Sequence, residues 1–164
     1  MSRQEFIISS VKTAEDLKEV IALLKLYAAS LDIDLTFQDF ATEMASMPGK
    51  YSPPTGALLL ARKGPGGDGE SIGCVGLRSL GEGVCEMKRL YVSSSGRGQG
   101  IGRSLAEAII MEAKRLGYRS MRLDTLPSMS AARKLYQMLG FVEVERYYDT
   151  PLEGTVFLEL ALGG

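Results

Sequence analysis

Leu90-Tyr91-Val92-Ser93-Ser94-Ser95-Gly96-Arg97-Gly98-Gln99-Gly100-Ile101-Gly102-Arg103-Ser104 is the stretch on which the fold turns. Its first residues close a β-rich run that begins at Val84. Its middle is serine and glycine. From Gly100 the pattern turns helical: Ile101, Leu105, Ala108, Ile109, Ala113 and Leu116 recur on one face, and Gly117 ends the run. A strand, a small-residue turn and an amphipathic helix in that order make a place for an anion. The first turn of a helix leaves backbone N–H groups without intrahelical partners, and the helix dipole adds positive potential there. Glycines let a phosphate approach the backbone. Arg97 and Arg103 add charge at the same place.

Three familiar phosphate loops do not match. No Gly-Lys-Ser/Thr occurs, which excludes a P-loop. A dinucleotide loop needs Gly-x-Gly-x-x-Gly at the start of a βαβ unit; here the third position is Arg103, and the preceding strand belongs to a hairpin. A kinase glycine loop runs into a strand, not a helix.

Outward from this loop the chain alternates strand and helix patterns. Towards the N-terminus, Glu5 to Ser9 reads as a strand. Thr13 and Asp16 open a helix carrying Leu17, Val20, Ile21, Leu24, Tyr27, Ala28 and Leu31. Thr36 and Asp39 open a second helix with Phe40, Met44 and Met47. Ala57 to Arg62, Ser71 to Leu80 and Val84 to Val92 read as strands, the last two joined at Gly81-Glu82-Gly83. Towards the C-terminus come a strand at Met121 to Leu123, a helix over Ser130 to Leu139, and strands at Phe141 to Val144 and Thr155 to Leu162. The expected fold is α/β: one domain over residues 1–164, with a mixed β-sheet flanked by helices in the order β-α-α-β-β-β-α-β-α-β-β.

Composition narrows the chemistry. The 164 residues contain 19 Lys+Arg against 20 Asp+Glu, a net charge of −1, so no basic excess points to nucleic acid. No apolar run is long enough to span a membrane, and the N-terminus has no signal-peptide core. A reducing cytoplasm is the expected compartment. There is no histidine, which excludes a Ser-His-Asp triad, a Cys-His pair and an imidazole proton shuttle. Cys74 and Cys85 do not make a disulfide framework and cannot by themselves close a zinc site. They are expected as buried, reduced thiols, not opposite each other on neighbouring strands, and no metal is expected.

The spacing Arg-x-x-Gly-x-Gly at Arg97, Gly100 and Gly102 resembles the acetyl-coenzyme A pyrophosphate motif of the GNAT superfamily of N-acetyltransferases. Downstream, Ala132-Arg133-Lys134-Leu135-Tyr136-Gln137-Met138-Leu139-Gly140-Phe141 is similar to the Ala-x-x-Leu-Tyr-x-x-x-Gly-Phe stretch of the same superfamily. The resemblance implies acetyl-coenzyme A as co-substrate and an amine-bearing acceptor. It implies cofactor contacts from Leu90, Tyr91, Val92, Arg97, Gly98, Gln99, Gly100, Ile101, Gly102, Arg103, Ser104, Ala132 and Tyr136. One position departs: many members carry Asn where this chain has Met129, and Ser128 or Ser130 is expected to replace that contact.

Direct attack of an amine on a thioester needs a neutral amine, a donor for the oxyanion and a proton for the departing thiolate. An alkylamine with a pKa of about 10.4 is mostly charged near neutrality, so a base is required. The resemblance places Glu86 as that base, acting through water. Glu86, Lys88 and Leu90 alternate onto one strand face. The bland alternative for Glu86 is an exposed carboxylate paired with Lys88 or Arg78; Glu82 and Asp124 are the other base candidates. Tyr136, with a phenol pKa of about 10, suits the acid role; its alternative is packing at the core edge. The acceptor is expected against the helix pair from Tyr27 to Met47, Tyr51, and Arg146-Tyr147-Tyr148-Asp149-Thr150-Pro151. Asp32, Asp34 and Asp149 are candidates for holding one ammonium group, and the lack of an acidic cluster disfavours a polycation. The expected reaction is acetylation of a primary amine on a small molecule or peptide. Acetylation of a protein N-terminus or lysine, or a non-catalytic acyl-coenzyme A binding module, are the alternatives. Exposed final strands would support a homodimer.

Overall fold

Thr13 begins the first helix as the sequence predicts: the Asp16 N–H donates to Thr13 Oγ1 at 3.0 Å, and the Asp16 carboxylate accepts from the Lys12 N–H at 3.3 Å. A computed structural model describes residues 5–30 and 40–163. The elements are β1 (Phe6–Ser10), α1 (Ala14–Ser30), α2 (Phe40–Ala45), β2 (Ala57–Lys63), β3 (Ser71–Gly81), β4 (Val84–Val92), α3 (Ile101–Arg115), β5 (Ser120–Thr125), α4 (Ser130–Met138), β6 (Val142–Val144) and β7 (Val156–Ala161). This is the order expected from sequence. Leu31, Asp32, Asp34 and the helix start at Thr36 and Asp39 lie outside the described residues.

The strands form one sheet in the order β1-β2-β3-β4-β5-β7-β6. Every neighbouring pair is antiparallel except β4 and β5, which run parallel. Period-two alternation sends successive residues of β2 to opposite faces. Leu59 and Ala61 join a core with Ile101, Leu105 and Ile109 of α3 and with Tyr136 of α4. Leu58 and Leu60 join a second core with Val20, Leu23 and Leu24 of α1 and Met44 of α2. Each large aliphatic side chain buried this way contributes about 1.5–3 kcal/mol. Helices therefore cover both faces.

The expected alternation of Glu86, Lys88 and Leu90 on one face does not hold. Gly76 faces Lys88 and Cys74 faces Tyr91, so β4 spends one extra residue against β3. The extra residue is at Arg89, whose φ is 61°. This β-bulge turns Leu90 and Val92 into the core on the α3 face and Tyr91 towards the α1 face. Glu86 and Lys88 stay on the α1 face.

Before the bulge, β4 has already parted from its other neighbour, β5. The β4–β5 ladder pairs only Val84, Cys85 and Glu86 with Ser120, Met121 and Arg122. After Glu86 and Arg122 the two strands part, and a cleft opens in the sheet. Cys74 lies opposite Tyr91 and Cys85 opposite Ser79, so the two thiols are not paired. Both are buried and free, and burial pushes both thiols up to about 12.

Candidate active site

A cavity of about 410 Å³ fills the cleft where β4 and β5 part. Met87 to Val92 form one wall and Leu123 to Leu126 the other; Ala132, Leu135 and Tyr136 of α4 line it, as do Tyr27 of α1 and Tyr148. Arg97 and Gly102 stand at the α3 end.

The turn before α3 is shaped by its glycines. Gly98 and Gly100 have φ of 80° and 76°, in the left-handed region, and a Cβ at either would meet open space. Backbone conformation, not crowding, requires glycine there. Gly100 caps α3, and its carbonyl accepts from the Ser104 N–H at 3.0 Å. The N–H groups of the first helical turn are thereby presented at the end of the cavity.

The expected cofactor contacts divide. Leu90, Tyr91, Val92, Arg97, Gly102, Ala132 and Tyr136 all line the cavity. Gln99, Gly100 and Ser104 line a separate depression beside Phe6 and Ile7. The Ile101 side chain is in the core, which leaves only its backbone available. Arg103 is exposed and pairs with Glu107 at 3.5 Å. Met129 itself lines the cavity and takes a contact from Thr125 Oγ1 at 3.8 Å, while Ser128 and Ser130 are exposed and off the wall.

Tyr136 is 7% exposed, and its ring packs edge-on against Phe141 at 5.7 Å. Burial, with smaller contributions from Tyr27 and Asp124, pushes its pKa well above the ordinary phenol value. The hydroxyl therefore keeps its proton and remains a donor. Among the described residues it makes no hydrogen bond, so it is available to the cavity.

Glu86 is 1% exposed rather than exposed on the strand. Arg78 Nε donates to its Oε1 at 2.6 Å and the Tyr147 hydroxyl donates to its Oε2 at 2.5 Å. Glu86 does not line the cavity. Asp124 lies on the wall, where the Tyr148 hydroxyl donates to its Oδ2 at 2.5 Å. Tyr147, Tyr148 and Phe157 pack edge-to-face with centroids 5.1–5.5 Å apart, which fixes both phenols. Of the other expected acceptor contacts, Tyr27 lines the cavity and packs on Tyr91 at 5.4 Å. Tyr51 does not: it is buried and donates to Glu43 Oε2 at 3.1 Å. Asp149 is exposed.

The bulge residue Arg89 is tied down by Glu43 of α2. Its Nε donates to Oε2 at 2.9 Å and its Nη2 to Oε1 at 3.1 Å, and its guanidinium lies over Phe40 at 5.3 Å. The sequence reading missed this pair. The partners are 46 residues apart, and no local pattern connects them.

Fold and cavity together describe a mixed sheet that parts between β4 and β5 and holds a cavity in the cleft. Comparison with known proteins makes this specific. The acetyltransferase (GNAT) family model matches residues 22–141, and the chain belongs to that family. It is 39% identical to an uncharacterised N-acetyltransferase of Schizosaccharomyces pombe over 99% of this chain and 98% of that one. It is 32% identical to an N-acetylaspartate synthetase of Danio rerio over 78% of this chain and 45% of that one. A GNAT-family acetyltransferase from Staphylococcus aureus superimposes with a TM-score of 0.77 at 21% identity, covering 96% of this chain and 99% of that one. The chain is an N-acetyltransferase, and its fold implies acetyl-coenzyme A as co-substrate and an amine as acceptor. Among the described residues, no His, Cys, Asp and Glu cluster is arranged to hold a metal ion, and no helix is long and apolar enough to cross a membrane.

Proposed function

We propose that the protein transfers the acetyl group of acetyl-coenzyme A directly to the primary amine of a small molecule. The observation that carries this reading is the Tyr136 hydroxyl, held protonated on the wall of the same cavity that Arg97 and Gly102 border. Arg97 and the N-terminus of α3 would hold the pyrophosphate. Leu90 to Val92 and Ala132, whose small side chain leaves room, would hold the pantetheine arm. An extended arm with amide groups suits pairing with a strand that has lost its neighbour.

The amine nitrogen attacks the thioester carbon, and the carbon–sulfur bond breaks. Tyr136 donates its proton to the departing sulfur. The amine's surplus proton leaves to a carboxylate. We assign that step to Asp124, with Glu86 as the carboxylate behind it. Asp124 borders the cavity, whereas both oxygens of Glu86 already accept short hydrogen bonds. A cytoplasmic setting fits the two free, buried thiols.

Free-thiol release from acetyl-coenzyme A, measured against a panel of small amines and peptides beside cofactor binding, tests this. Turnover on a small amine is expected. Tight binding without turnover on any amine would instead support a non-catalytic acyl-coenzyme A module. Turnover confined to peptides would move the acceptor to protein.

A further inference from the structure

We propose that the acceptor carries a carboxylate beside its amine, as an amino acid does, and that Lys88 and Asp124 hold its two ends. This rests on reading the cavity as the acetyl-transfer site.

The argument comes from which charges around the cleft are already satisfied. Arg78 pairs with Glu86 at 2.6 Å, Arg89 with Glu43 at 2.9 Å and Arg122 with Glu159 at 2.7 Å. Four charged side chains border the cavity; Arg89 belongs to one of these pairs and Arg97 stands at the α3 end, which leaves Lys88 on β4 and Asp124 on β5. The Lys88 side chain is only 15% exposed, yet among the described residues its single ion pair is a 3.9 Å approach to Glu86 Oε1, an oxygen already taken by Arg78. Among the described residues its ammonium donates no hydrogen bond. Asp124 uses Oδ2 for the Tyr148 hydroxyl, and Oδ1 accepts nothing among the described residues.

A nearly buried ammonium without a close partner is costly. Burial draws the Lys88 pKa down, while Glu86 and Asp124 hold it up. A ligand carboxylate would relieve that cost. Lys88 is on β4 and Asp124 on β5, the two strands that part to form the cavity, and Asp124 is near enough to act on the Lys88 charge. That is the complement of a molecule with one anion and one cation. A diamine would set a cation against Lys88. The α-amine of a long polypeptide has no carboxylate beside it. The cavity of about 410 Å³ must also take the cofactor arm, so the acceptor is small.

The test uses the intact protein with acetyl-coenzyme A and matched sets of acceptors: each common amino acid, its α-amide and its decarboxylated amine. Thiol release gives kcat/KM for each. We expect at least one amino acid to exceed its amide by about 10- to 100-fold, the range of a hydrogen bond to a charged group. In Lys88→Met that ratio collapses towards one through KM for the acid, and Lys88→Arg restores part of it. Circular dichroism checks that both variants fold. If wild type uses amides and simple amines as well as the acids, acetyl transfer stands and the paired-charge acceptor falls. It falls equally if Lys88→Met lowers all three substrates by the same factor, since that marks a structural role. No turnover on any amine, with acetyl-coenzyme A still bound, removes the transfer reading and this one together.

Discussion

Tyr136 shows how burial sets the protonation of one residue. A phenol in water titrates near 10, but the apolar wall of α4 and Phe141 raises this one further. It cannot serve as a base near neutrality. It can give a proton to a thiolate and recover it from solvent. Tyr136→Phe keeps the ring and its contact with Phe141 and removes only the donor. Turnover is expected to fall about tenfold or more, with acetyl-coenzyme A affinity changed about twofold or less. Steady-state rates and a binding titration on one preparation separate the two quantities. Unchanged turnover would remove Tyr136 from the mechanism. This residue was legible in sequence because its neighbours are local: Ala132, Leu135, Gly140 and Phe141 all lie within one helix and its cap. Glu86 and Asp124 were legible as candidates but not in their surroundings. Their phenol partners are 61 and 24 residues away. Which carboxylate borders the cavity is decided by where the β6–β7 loop lies, and spacing carries no trace of that.

At the scale of the element, the bulge in β4 makes the cleft wall. Without it, Leu90 and Val92 would point with Glu86 and Lys88 towards α1, and the apolar set of the strand would be split. Cys85 and Met87 lie two apart, and so do Leu90 and Val92, but Met87 and Leu90 lie three apart. That slip is the one sequence trace of the bulge, and a single charged residue, Arg89, conceals it by reading as an ordinary outward position. Arg89 holds a left-handed backbone that costs an L-residue strain. Its two hydrogen bonds to Glu43 offset that cost and fasten α2 over the cleft. Burial alone would raise the Glu43 pKa; the bonds to Arg89 outweigh it and leave the carboxyl below its ordinary range. A folded-state pKa below the unfolded one stabilises at neutral pH, and the stabilisation fades as pH falls through the folded value. Arg89→Met leaves Glu43 without its cation and should cost about 3 kcal/mol, the lower end of the range for breaking a buried pair. The gap between variant and wild type should be wider at neutral pH than at a pH well below the ordinary glutamate range, because Glu43 protonates there. Urea unfolding at both pH values measures it. A gap that is independent of pH would place the loss in packing rather than in the pair.

Across the whole molecule, the parallel step from β4 to β5 divides the sheet. Four strands lie on one side and three on the other, and only three residue pairs join them. The order of elements was readable from hydrophobic period and glycine stops, because each element's pattern is local. The length of that central ladder was not, since it depends on where two strands diverge in space. The core on the α3 face carries most of the continuity, with Met121, Leu123, Tyr136 and Leu158 packed against α3 and β2–β4. On the cleft side the hydrogen bond from Tyr147 to Glu86 links the halves. An acyl donor lying along β4 and past α4 would touch both halves and so stiffen the join as well as the loop. At 100 times its Kd, acetyl-coenzyme A should add about 2.7 kcal/mol to folding stability, or about 5–10 °C in Tm for a chain of this size. Its distribution is the sharper test. Amide exchange should slow in β5 and α4 as well as in the turn from Ser93 to Arg103, because local opening along the cleft separates these elements. Protection confined to the turn would mean that the cofactor grips only its phosphates, and that the two halves of the sheet are held by the core alone.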